Sequence, residues 1–110
     1  MIKRISFVRK RADISREEFV AHWLGPHAEL VKRDLPGLLG YVVNVADDPE
    51  AAGWDGFAEV WFESRAEAES AFRSEPFFSQ VVEDRPKFVA EQVIFFADEH
   101  VVVELARPTG

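Results

Sequence analysis

One stretch of this 110-residue chain carries the side chains best suited to proton chemistry. In the run Phe19-Val20-Ala21-His22-Trp23-Leu24-Gly25-Pro26-His27, Phe19, Trp23 and His27 are spaced four residues apart, so a helix puts all three on one face. An imidazole on that stripe points at whatever the helix packs on, not at water. Histidine's ordinary pKa lies nearest neutrality, so a pocket-facing His27 is a candidate general base or acid on a C–H or O–H next to a carbonyl. The competing reading is a core histidine with one satisfied hydrogen bond. His22 lies about 100° around the helix from Trp23 and reads as structural. Five residues from His27, it does not share that residue's face on a regular helix. Spacing identifies no partner that would fix the His27 tautomer.

Three further side chains are candidates for contact with a substrate. Trp23 and Trp61 are core positions in one reading and stacking platforms for a flat aromatic ligand in the other. Glu59 sits between Phe57 and Trp61 on an expected central strand, where a charge is costly unless paired, and an arginine across the sheet is the expected partner. Asp55 before Gly56 reads as turn chemistry. His100 follows a strand end and reads as a solvated or interface residue. Three histidines without a close pair make no metal set, and no cysteine is present, so thiolate chemistry and disulfides are excluded.

The elements that must position these groups follow from pattern. Ile2 to Arg9 alternates as a strand. Ser15 with Glu18 forms a capping box that opens a helix, and the apolar positions keep helical period to Leu35. Gly25-Pro26 interrupts that helix, so a kink or two short helices are expected there, with His27 just past the break. Pro36-Gly37 ends it. Leu38 to Val45 is a second strand, Ala46 to Gly53 a polar loop and Phe57 to Phe62 a third strand. Ser64 with Glu67 opens a second helix to Ser74, stopped by Glu75-Pro76. Phe77 to Phe88 is a short helix or loop, Gln92 to Asp98 the fourth strand, and Val101 to Leu105 a segment that extends or re-pairs it. The order β-α-β-β-α-β is the ferredoxin-like split βαβ arrangement, an α+β fold with an antiparallel four-stranded sheet and helices on one face. A single domain over residues 1–106 and a tail over 107–110 are expected.

Composition narrows the function classes. The chain is 47% apolar and 30% charged, so it is globular. Its net charge of −7 and the lack of a basic stripe argue against nucleic-acid binding. No secretory leader is seen and no apolar stretch approaches a membrane span, so a soluble, cytoplasmic protein is expected. Both sheet faces are largely apolar, with Phe57 and Trp61 opposite Ala58, Val60 and Phe62. Helices cover only one face, and a second copy packed sheet to sheet is the simplest cover for the other.

The order Phe19-x-x-x-Trp23-x-x-x-His27, then Gly40-Tyr41-x-x-Asn44, then Asp55-Gly56-Phe57-Ala58-Glu59-Val60-Trp61-Phe62 resembles the EthD-type domain family of the dimeric α+β barrel superfamily. Asp98-Glu99-His100-Val101-Val102 is similar to the end of such domains. The resemblance implies a homodimer that closes a barrel through its sheets, with a ligand pocket in each subunit between sheet and helices. It implies activities in ether and aromatic degradation, lactone isomerisation or polyketide tailoring, several of them without metal or organic cofactor. By position His27 and Tyr41 match a helix-one histidine and a second-strand tyrosine proposed to act in methylmuconolactone methylisomerases. Tyr41 would then donate its phenol to a substrate oxygen; otherwise it is a half-buried tyrosine whose hydroxyl reaches solvent. Asn44, three residues on, falls on the opposite face. Distant dimeric barrels bind haem, for which His27 would be the ligand, though nothing in this sequence favours it. The expected function is a cofactor-independent enzyme acting on a small, flat, largely apolar oxygenated molecule by isomerisation, dehydration or oxygen insertion. The alternative is a non-catalytic binding protein or an accessory protein of an oxidoreductase.

Overall fold

The computed structural model describes residues 1–107, so most of the expected tail lies outside it. Strands β1 (Ile2–Lys10), β2 (Gly40–Val45), β3 (Gly56–Phe62) and β4 (Val89–Asp98) form one antiparallel sheet in the order β2-β3-β1-β4. The period of two sorts each strand between faces. Val8, Tyr41, Val60, Phe62 and Phe96 turn toward the helices. Their neighbours Phe7, Val42, Glu59, Trp61 and Phe95 turn away.

Residues of the four longer helices pack on the first face. α1 (Arg16–His22) begins with the full capping box: Glu18 N–H donates to Ser15 Oγ, and the Ser15 backbone N–H donates to the Glu18 carboxylate. α2 is Ala28–Asp34, α4 is Arg65–Arg73 and α5 is Phe77–Asp84. The polar loop contains one extra turn of helix, α3 (Pro49–Ala52), capped by Asp48. Ser64 caps α4 by accepting from Glu67 N–H. Residues 101–105, expected to extend or re-pair the fourth strand, adopt no regular structure.

Of the two forms expected at Gly25-Pro26 the chain adopts two short helices, α1 and α2, joined by a single π turn, Trp23–His27, so that His27 ends the wide turn and does not lie past it. Pro26 has no N–H to donate to the His22 carbonyl, and its ring would crowd that oxygen in an α-helix. A turn one residue wider relieves both, and the Ala28 N–H reaches back to the Trp23 carbonyl. The extra residue also sets the register of the core. At about 100° per residue, Val31 and Leu35 would sit roughly 120° and 160° from Phe19 on an unbroken α-helix. With one residue absorbed in the wide turn they return to within about 60° of it. Phe19, Trp23, Val31 and Leu35 are accordingly all buried against the sheet.

Candidate functional site

The same register shift builds the site. On a regular helix His22 and His27 stand about 140° apart, whereas the π turn brings them to within about 40°. Both rings reach one carboxylate, that of Asp84 at the end of α5. His27 Nδ1 lies 2.8 Å from Asp84 Oδ2, and His22 Nε2 lies 3.1 Å from each of the two oxygens. Phe88 packs against both imidazoles, at 4.8 Å from His22 and 4.9 Å from His27 between ring centres. The expectation that the two histidines face apart is thus corrected. His22 is part of the cluster, and Asp84 is the tautomer-fixing partner that spacing did not reveal.

Protonation follows from the surroundings. Burial pushes the Asp84 carboxyl up, but the hydrogen bonds and electrostatic attraction of His27 and His22 together hold the group below the ordinary carboxylate value. Burial is the largest influence on the His27 imidazole and pushes it down; Asp84 pulls it up, the charges of His22 and Arg85 push it down further, and the net result is a lowered value. Near neutral pH the pair is therefore a carboxylate and a neutral imidazole. A carboxylate can only accept, so the His27 proton sits on Nδ1. Nε2 then carries the lone pair, and it has no partner among the described residues.

His27 lines a cleft between the helices and the sheet. The cleft encloses about 90 Å³. That is room for several waters or one small ring, since one water needs about 10–15 Å³ by the same measure. Trp23, Val31, Phe72, Phe77, Phe88 and the strand residues Val8, Ala58 and Val60 give it apolar walls. Tyr41 enters from β2, its phenol pushed up to about 12 by burial, so it stays protonated and can donate. The structure thus brings together His27, Tyr41 and Trp23, with Trp23 buried as core and also lining the cleft.

Glu59 and Trp61 are placed elsewhere, on the outer sheet face. Glu59 bonds Lys3 Nζ at 2.9 Å and Asn44 Nδ2 at 3.0 Å, so its partner is a lysine and not the expected arginine. Trp61 donates its indole N–H to Glu99, and Lys3 lies 5.4 Å from its ring centre. Asp55 accepts from the Lys10 backbone N–H and so ties the end of β1 to the start of β3. Gly56 is needed for close approach, because a Cβ there would collide with the Asn44 carbonyl oxygen and the Trp23 ring. Two cleft residues, Arg4 and Arg85, carried no signal in the sequence beyond their charge.

The EthD domain model matches residues 11–92, most of the chain, including His27, Tyr41 and Asp84. The chain belongs to the EthD domain family. Solved structures agree on the fold. An ethyl tert-butyl ether D (EthD) family protein from Bacillus halodurans C-125 is 19% identical with a TM-score of 0.76, covering 91% of this chain and 99% of its own. A hydroxynitrile lyase from Passiflora edulis is 18% identical with a TM-score of 0.72, covering 94% and 96%. A dimeric ferredoxin-like protein of unknown function from Thermobifida fusca YX is 14% identical with a TM-score of 0.69, covering 87% and 88%. No curated protein matches the sequence significantly. The EthD chain thus has a ferredoxin-like α+β fold. Among its described residues no helix is long and apolar enough to cross a membrane.

Proposed function

We propose that this EthD-domain chain is an acid–base enzyme that needs no bound cofactor and acts on a small oxygenated ring compound. One observation carries the reading. His27 lines the cleft as a neutral imidazole whose Nδ1–H is held by a buried carboxylate, leaving Nε2 basic. That is the arrangement a general base needs: fixed orientation, the correct tautomer, and a counter-charge for the imidazolium formed on proton transfer. Tyr41 supports it by offering an O–H donor in the same cleft for the oxygen on which charge develops. Apolar walls keep water from competing with these contacts.

The reaction class is proton transfer next to a carbonyl. A five-membered unsaturated lactone in D₂O tests it. The wild type is expected to speed exchange of the ring proton beside the carbonyl, and His27→Ala, folded by its NMR dispersion, to lose that acceleration. Exchange that survives the substitution would falsify the role of His27. A wild type that binds the lactone without promoting exchange would instead favour a carrier or accessory protein.

The protein acts as a homodimer through its outer sheet face in this reading. Val42, Val93 and Phe95 are 41%, 48% and 42% exposed there, beside an aromatic set in which Phe7 packs on Phe57, Phe95 and Trp54. An apolar face of that extent is a burial site for a partner. The dimeric ferredoxin-like neighbours support the same assembly. Sedimentation at micromolar concentration should give a dimer, and Phe95→Glu a monomer; a wild-type monomer sinks this part of the proposal.

A further inference from the structure

The charge inside the cleft opposes that of the chain as a whole. The protein has 20 acidic and 13 basic side chains, yet the residues lining the cleft include two arginines, Arg4 and Arg85, and no carboxylate. Arg4 stands on the helix-facing side of β1, opposite Val60 and Phe96 on the neighbouring strands. Its guanidinium lies 3.8 Å from the centre of the Phe72 ring. Neither Arg4 nor Arg85 has an ion pair or a side-chain hydrogen bond among the described residues. Other arginines of the chain do: Arg11 pairs with Asp13, Arg33 with Asp34 and Arg65 with Glu69.

Two like charges in a half-buried cleft are unfavourable, and the cost shows on Arg4. Burial, reinforced by the charge of Arg85, pulls its guanidinium down to about 10, still protonated at neutral pH. Asp84, the acid adjacent in sequence to Arg85, is turned to His22, His27 and, at 3.7 Å, Lys87. Such a pair of donors faces the cleft with no protein acceptor among the described residues. Ser6 and Gln92 stand on the same wall and add neutral polar groups.

We infer that Arg4 and Arg85 form an anion subsite, and that the ring compound bound in this cleft carries a carboxylate. The planar guanidinium fork matches a carboxylate in a two-point contact, and Phe72 holds the Arg4 fork in place from one side. Anchored there, the ligand would present its ring to the apolar wall and its reacting position to His27 and Tyr41. The inference rests on the reading of the cleft as a substrate site and deepens it by naming the substrate class.

Matched probes test it: 4-methylbenzoate against 4-methylbenzamide, the same ring with and without the charge. Affinity is read by calorimetry and site occupancy by the NMR shift of His27. Charge-assisted hydrogen bonds of this kind are worth roughly tenfold to a hundredfold in affinity. The wild type should bind the benzoate tighter than the amide by that factor. Arg4→Met, which keeps an apolar stem against Phe72, should bring the ratio near one by weakening the benzoate alone. Arg85→Gln, at a helix end outside the core, should reduce the same ratio, and added sodium chloride should weaken only the benzoate in the wild type. Equal affinities in the wild type, or a ratio unchanged in both variants, overturn the anion subsite while the cleft still stands as a binding site. If neither probe moves His27 at any accessible concentration, the cleft is not the ligand site and both readings fall.

Discussion

Asp84→Asn isolates the charge that the site places behind His27. The substitution keeps the shape of the side chain and leaves an amide oxygen able to accept from His27 Nδ1, where Asp84 Oδ2 now accepts at 2.8 Å. What it removes is the negative charge facing the imidazolium. With charge centres about 4 Å apart and an effective dielectric near 20, that attraction is on the order of 4 kcal/mol. The amide dipole returns part of it, and the remainder approaches the extra worth of a hydrogen bond to a charged group, about 1.5–3 kcal/mol. The proton affinity of His27 should therefore fall about tenfold to a hundredfold. Burial, which already disfavours the cation, is unchanged, so the direction is unambiguous. The assay is an NMR pH titration of the imidazole resonances in both proteins. A His27 midpoint that stays put or rises in a folded Asp84→Asn variant refutes the reasoning, because burial alone would then set the titration. Any lactone exchange catalysed by the wild type should drop by a similar factor, since the transition state builds up the same imidazolium.

Tyr41 is the only tyrosine in the chain, so its ionisation is read without assignment from tyrosinate absorbance: the midpoint should lie near 12, and a midpoint near 10 would mean the phenol is not buried. Tyr41→Phe should leave the fold intact and weaken binding of an oxygenated ligand about twofold to tenfold, the worth of one neutral hydrogen bond. Gly56→Ala should cost about 1–3 kcal/mol in urea unfolding, because the new methyl must displace the Asn44 carbonyl or the Trp23 ring; a neutral effect contradicts the close approach. Stability should also fall on acidification. His27 is less readily protonated folded than its ordinary value of 6.5, so the unfolded chain takes up more protons as pH drops below that value, and Asp84 adds a further loss as pH falls from 3.8 through its lower folded value. The urea midpoint should be lower at pH 5.5 than at pH 7.5, and His27→Gln should flatten the difference between them.

Much of the fold was legible because the rules that set it are local. Strand alternation sorts side chains two residues apart, and the Ser15-Glu18 box spans three residues; both act wherever they occur in the chain. The apolar outer face was legible for the same reason, as a second set of alternating positions with no helix to cover it. His27 could be singled out because its neighbours at four-residue spacing are large and aromatic, and Tyr41 because of the resemblance to a family pattern. The interruption at Gly25-Pro26 was visible too, but not its form. A proline forbids a regular turn without saying whether the chain bends, breaks or widens. Widening prevails because it alone returns Val31 and Leu35 to the stripe begun by Phe19 and Trp23, a requirement set by the sheet beneath them.

The chemistry of the site depends on distances no local pattern encodes. Asp84 is 57 residues from His27, in a segment whose sequence is that of an ordinary helix end. It meets both histidines because the π turn rotates them and α5 packs alongside. Glu59 and Trp61 leave the candidate site because they fall on the outer face, although their spacing alone could not separate them from the cleft. Arg4 and Arg85 read as two charges among thirteen, and only packing shows that they lack acids while others have them. The elements, their order and the apolar stripes are written in the residue pattern, since these follow from backbone sterics and burial over a few residues. Which titratable groups share a carboxylate and which cations stand unpaired in the cleft is set by the packing of the whole chain, because those energies fall off within a few ångströms and depend on where distant segments are brought to rest.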